Sequence, residues 1–267
     1  MLIFLAVALS LLIGIALGLL GGGGSILTVP ILIYALGMEE KGAIASSLLI
    51  VGVTSLVAAV QHARAGNVVW RVAMLFASSA MVGAYLGGRL AKHIPASILL
   101  AIFATIMLAT AIAMWRGRKP RPGQIAVDRS LPIPLILVEG LVVGCITGLV
   151  GAGGGFLVVP ALALLGGLSM PKAVGSSLVV IALKSFAGFA GYVTHAHIDW
   201  TMTLVVMAAA IAGSFVGAAW AKKVSPEMLR RGFAIFVLAM AVFMLGKQAQ
   251  AWLARPATAA IETTESE

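Results

Sequence analysis

Two stretches decide how this chain is read: GGGGSILTVP at Gly21–Pro30 and GAGGGFLVVP at Gly151–Pro160. Each follows an apolar segment with two glycines four apart and precedes another short apolar run. A shift of 130 positions lays Gly14 and Gly18 on Gly144 and Gly148, Pro30 on Pro160, and Gly37 on Gly167. The same shift carries Ser46 and Ser47 onto Ser176 and Ser177, Trp70 onto Trp200, Gly83 and Gly87 onto Gly213 and Gly217, and Lys92 onto Lys222. The chain is an internal duplication of one unit.

Composition says where that unit lives. Of 267 residues, 61% are apolar and only 10% charged, and the mean hydropathy is +1.10. That is too little polar surface to cover a soluble globule. Apolar runs long enough to cross a bilayer recur along nearly the whole length, so the first reads as a retained helix rather than a cleaved signal. The formal charge is +9, yet the basic residues stand singly or in small groups between apolar runs. They form no aromatic-interleaved patch, which argues against a nucleic-acid partner. Cys145 is the single cysteine, excluding an intrachain disulfide framework and a cysteine metal cluster. His62, His93, His195 and His197 make no convincing ligand set, the closeness of His195 and His197 being the one weak metal option. No cofactor is expected.

The chain therefore reads as an all-α polytopic membrane protein. About eight transmembrane helices are expected from a duplicated four-helix unit, with a glycine-broken first helix in each half. In the first half the spans fall near Met1–Leu36, Gly42–Val60, Val72–Gly88 and Ala96–Trp115; in the second, near Ile133–Leu165, Ala173–Thr194, Thr201–Ala221 and Leu229–Gly246. The organisation is thus a first repeat over 1–115, a basic linker over 116–131, a second repeat over 132–247 and a polar, frayed tail over 248–267. Four passes per half would give parallel copies, whereas an odd number would invert them. On the eight-pass count the basic residues are nearly balanced between the two faces, so the charge rule leaves orientation open.

Consecutive glycines cost roughly 1 kcal/mol each against alanine in a helix interior, so each first helix should stop or kink and restart toward Pro30 or Pro160. A break at bilayer depth frees amides and carbonyls that protein, water or substrate must satisfy. Gly22, Gly23, Gly24, Ser25, Thr28 and Pro30 in one copy, and Gly153, Gly154, Gly155 and Pro160 in the other, are candidate binding or translocation residues. Restarted helices would offer donors to an anion, carbonyls could instead take a cation, and close helix packing is the bland alternative. Ser46, Ser47, Ser176 and Ser177 can donate to an anion or bond a carbonyl one turn back. Lys184 lies near the middle of its span, where an ammonium is costly unless it faces a cavity or partner; its counterpart is Thr54. Glu139, His62 and His195 are candidate coupling residues, with interfacial or structural placement as the alternative. No P-loop, dinucleotide fingerprint or nucleophile elbow is present, so no catalytic residue is assigned.

The repeated GGGGxxxxP and GxGGGxxxxP patterns, each followed by a Ser-Ser pair, resemble the sulfite exporter TauE/SafE family of bacterial membrane permeases. The resemblance runs from about Leu5 to Gly246. It implies a multi-pass protein of the bacterial cytoplasmic membrane that is not an enzyme. It further implies transport of a small anion, sulfite or an organosulfonate among the candidates, and the paired helix breaks make alternating access by a secondary carrier the preferred mechanism. Proton or sodium coupling is compatible with this, the partners being the lipid bilayer, the anion and, as an option, a second copy of the chain. A small-anion channel is the nearest alternative, and an intramembrane enzyme a more distant one.

Overall fold

Leu20 ends the first helix and Gly23 begins the second, with Gly21 between them in the left-handed region at φ +68. Only glycine takes that conformation without strain, so the first long apolar run is two helices joined by a tight turn. The computed structural model describes residues 2–116, 133–150, 155–165, 167–194, 196–221 and 223–262. The first half contains α1 (Leu2–Leu20), α2 (Gly23–Pro30), α3 (Glu40–Arg64), α4 (Trp70–Leu90) and α5 (Ala96–Arg116). The second contains α6 (Ile133–Val150), α7 (Gly155–Pro160), α8 (Met170–Tyr192), α9 (Trp200–Ala221) and α10 (Pro226–Glu262). The linker at 117–132 and residues 263–267 lie outside the described residues.

The duplication is reproduced in local structure. Proline lacks the amide that would close the last helical turn, and after both Pro30 and Pro160 the chain widens into a π-helical turn, Ile31–Ala35 and Ala161–Leu165. Gly37 and Gly167 then stop each turn at φ +67 and φ +63. The next residue donates its amide back across that stop, Met38 to the Leu32 carbonyl at 2.9 Å and Leu168 to that of Leu162 at 3.1 Å. This is the glycine stop expected of a helix C-terminus.

Residue-to-residue contacts fix the helix directions. Gly14 and Gly18 of α1 press on Ala210 and Ser214 of α9, while Gly213 and Gly217 press back on Leu11 and Ile15; the order rises on both helices, so α1 and α9 are parallel. Gly140, Gly144 and Gly148 of α6 meet Phe76, Ala80 and Ala84 of α4 in the same parallel sense. A Cβ at any of these glycines would overlap the facing backbone, so these small-residue seams work by close helix approach. Asn67 and Val69 meet Gly175 and Ser176, and Gly88 meets Gly188, so α4 also runs with α8. Gly42 meets His197, and Ser46 bonds Thr203, so α3 runs with α9. Gly52 lies against the Phe186 ring, and Leu48 against Gly188, so α3 and α8 are antiparallel.

Thus α1, α3 and α9 point one way and α4, α6 and α8 the other, and each helix opposes its counterpart 130 positions away. The copies are inverted, not parallel as four passes per half would make them. The physical reason is the glycine break: α1 and α3 share a direction, so α2 must carry the chain back alongside α1, where Gly24 packs on Ile13 and Leu17. Each half consequently has an odd number of helical segments.

The protein is all-helical and polytopic. Among the described residues α3, α8 and α9 are long and apolar enough to cross a membrane; α3 and α8 occupy the centre, with most of their residues buried. Trp70, Trp115, Trp200 and Trp220 are exposed at helix ends, where an amphipathic ring suits the headgroup layer. The tail expected to fray beyond Gly246 instead continues α10 to Glu262, in a segment rich in alanine, the strongest helix former.

Candidate functional site

The two glycine breaks meet. Gly22, at the start of α2, lies backbone to backbone with Gly155, the first residue of α7, and a Cβ on either would overlap the other. Both rest on α8. Gly21 sits beside Val174, with its Cβ position 3.0 Å from Ser177 Oγ, and Gly155 packs on Ile181. One stripe of α8 at helical spacing, Val174, Ser177, Ile181 and Lys184, therefore passes first one tip and then the other. Gly23 opens α2, whereas Gly153 and Gly154 lie outside the described residues.

The small polar residues around the first tip are satisfied within their own helices. Ser25 Oγ donates to the Gly22 carbonyl at 2.7 Å and Thr28 Oγ1 to that of Gly24 at 3.2 Å. The serine pairs divide their work. Ser47 and Ser177 bond carbonyls one turn back, Ile44 at 2.9 Å and Val174 at 2.7 Å. Ser46 accepts from Thr203 Oγ1 at 2.9 Å, and Ser176 accepts from the Val69 amide at 2.9 Å. The first serine of each pair thereby ties its helix to the start of a helix in the other half.

Lys184 is 1% exposed. Its ammonium donates to Thr147 Oγ1 at 3.0 Å, and Thr147 passes its own proton to the Gly144 carbonyl at 3.2 Å. Glu139 stands two turns earlier on α6, partly buried, and makes no ion pair with Lys184. The crossing of α3 and α8, fixed by Gly52 on Phe186 and Leu48 on Gly188, brings Thr54 and Ser55 to the level of their counterparts Lys184 and Ser185. All four are buried, and Thr54 Oγ1, Ser55 Oγ and Ser185 Oγ have no hydrogen-bond partner.

His62 has Tyr192 as its counterpart, and the two perform one task. His62 Nε2 lies 3.1 Å from the Gly18 carbonyl, and Tyr192 Oη donates to the carbonyl of Leu149. Both acceptors belong to the last turn of a broken helix, whose carbonyls have no amide ahead of them. In an apolar interior such groups must be satisfied by side chains, so these residues cap α1 and α6. His62 also borders a small cleft with Gln61, Asn67, Pro171, Val174 and Ala218, whose floor at Val174 adjoins Gly21. His195 lies outside the described residues.

Four contributors were not singled out by sequence: Thr147, Ser55, Tyr192 and Thr203. Thr147 stands opposite leucine and Thr203 opposite alanine in the other copy, so repeat symmetry hides them; the matched pairs Ser55–Ser185 and His62–Tyr192 were the available signals. Among the described residues no group of three or more His, Cys, Asp or Glu side chains could hold a metal ion.

Comparison with known proteins agrees with this architecture. The family described as Sulfite exporter TauE/SafE matches residues 6–244. A "Probable membrane transporter protein" of Xylella fastidiosa strain 9a5c is 33% identical over 238 residues, covering 88% of this chain and 91% of the relative. One of Methanocaldococcus jannaschii is 28% identical over 256 residues, covering 90% and 94%, and "Probable membrane transporter protein YdhB" of Bacillus subtilis is 26% identical over 216 residues, covering 80% and 88%. No solved structure matches. With a glycine-broken, duplicated helical body over the full match, the chain belongs to the sulfite exporter TauE/SafE family and is a small-anion transporter of the bacterial cytoplasmic membrane.

Proposed function

We propose that the protein is a secondary carrier in which a small anion such as sulfite or an organosulfonate passes the two hairpin tips by alternating access. The observation that carries this reading is the contact of Gly22 with Gly155 on the buried face of α8. Two re-entrant hairpins, α1–α2 and α6–α7, enter from opposite faces and touch tip to tip, an arrangement that can open toward one face at a time. On this reading the glycine breaks and Lys184 lie along the route, with Ser46 and Ser47 toward one end and Ser176 and Ser177 toward the other; Glu139 and His62 are candidates for proton coupling, and sodium is the alternative driving ion.

On this reading residues 1–115 and 132–247 are inverted repeats, each a re-entrant hairpin plus three spans, joined by the 116–131 linker and followed by the tail. Inversion breaks the charge balance. Arg64, Arg71, Arg116, Lys172, Lys223, Arg230 and Arg231 gather on the linker face, where the linker adds Arg118, Lys119, Arg121 and Arg129. The opposite face keeps Lys41, Arg89, Lys92, Lys247 and Arg255, and the positive-inside rule then assigns the linker face to the cytoplasm.

Purified protein in sealed vesicles, given sulfite, sulfate, isethionate and chloride under imposed proton or sodium gradients, tests the carrier. Saturable, gradient-dependent flux is expected. Non-saturating conductance indicates a channel instead, and absence of flux for every anion rejects the reading.

A further inference from the structure

We infer that the chain holds one small oxoanion at the α3–α8 crossing, bound by Lys184 together with Thr54, Ser55 and Ser185, so that a duplicated protein carries a single, unsymmetric anion site. The inference rests on the transporter reading for its purpose but on separate observations for its existence. A lysine ammonium has three donors, and the one bond of Lys184 goes to Thr147. Two donors remain, in a side chain 1% exposed, and Glu139 does not compensate the charge. Around the same crossing three fully buried hydroxyls, Thr54, Ser55 and Ser185, also lack partners. Unsatisfied polar groups at bilayer depth are costly, and buried hydroxyls at the same level of the bundle as an uncompensated cation favour an anion between them.

The donor set narrows the chemistry. Each hydroxyl keeps a proton that no protein acceptor takes, and Thr147 cannot compete for the ligand because it spends its own proton on Gly144. With an ammonium, three hydroxyls and no carboxylate, the site suits an anion bearing several acceptor oxygens rather than a metal cation. The enclosing surface is tight: Phe186 closes one side on Gly52, and Gly188 packs on Leu48. That favours a compact head group such as sulfite over an extended substrate. The copies differ at the decisive place, threonine facing lysine, so inversion does not generate a second site.

Equilibrium titration of the purified full chain with sodium sulfite in a gluconate background, and in parallel with sodium chloride, tests this. One sulfite per chain is expected, with chloride at least about tenfold weaker. Lys184→Met should weaken sulfite by at least about tenfold, and this variant should insert well because it removes a charge from the bilayer interior. Lys184→Arg should retain most of the affinity, and Thr54→Val with Ser185→Ala should weaken it about three- to tenfold through lost hydrogen bonds. Unchanged sulfite affinity in folded Lys184→Met, or two equivalent sulfites per chain, overturns the proposal. Lysine-dependent binding without vesicle flux upholds the site while removing the carrier, and flux with lysine-independent binding does the reverse.

Discussion

Gly22 and Gly155 touch through their backbones alone, so neither position has room for a methyl group. Gly22→Ala and Gly155→Ala should each force the two tips apart. The expected destabilisation is about 1–3 kcal/mol, as for overpacking of a tight core, with transport falling to a small fraction of the parent rate. Gly232→Ala is the control, because a Cβ there meets nothing; it should be neutral or stabilising by about 0.5–1 kcal/mol. Thermal unfolding in detergent beside vesicle flux reads both quantities.

The small-residue seams should tolerate bulk no better. Gly148→Leu would drive a side chain into the Ala84 backbone of α4, and Gly18→Leu into Ser214 of α9. Because each seam joins opposite halves, both variants should lose monodisperse folded protein in size-exclusion chromatography. If these variants elute and melt like the parent, the parallel pairing of α1 with α9 and α4 with α6 is wrong.

His62 and Tyr192 stand at equivalent positions and cap equivalent helix ends. His62→Tyr should therefore fold and keep much of the parent stability, since the other copy performs the task with tyrosine. Tyr192→Phe removes the donor and leaves the Leu149 carbonyl short of a partner, a loss of about 1–3 kcal/mol. A melting temperature for Tyr192→Phe equal to that of the parent would contradict the capping role.

Sidedness can be read by thiol labelling. In a Cys145→Ser background, Glu39→Cys and Ser169→Cys, at matched positions just before α3 and α8, report the relation of the two halves. An impermeant maleimide added to intact spheroplasts should label Glu39→Cys, while Ser169→Cys should react only after permeabilisation. Labelling of both from the same side would return the halves to a parallel arrangement.

The sequence by itself determined the membrane class, the duplication and the location of both breaks, because these depend on local properties. Apolar run length and a run of glycines before a proline are properties of neighbouring residues, the repeat is visible by laying the chain on itself, and the break with its restarted helix α2 followed from them; the π turns and the glycine stops came only with the structure. Lys184 was visible as well, since a charge within an apolar run needs no partner to be noticed. What only the tertiary structure decided was direction and company. Whether four glycines bend a helix or reverse it depends on what packs against them. That reversal changes an even count to an odd one, inverts the halves and redistributes the basic residues. The meeting of Gly22 with Gly155, the bond from Lys184 to Thr147 and the unpartnered hydroxyls at the α3–α8 crossing join residues far apart in the chain. Such pairs have no local signature, and the repeat symmetry that revealed the fold concealed the positions where its two copies differ.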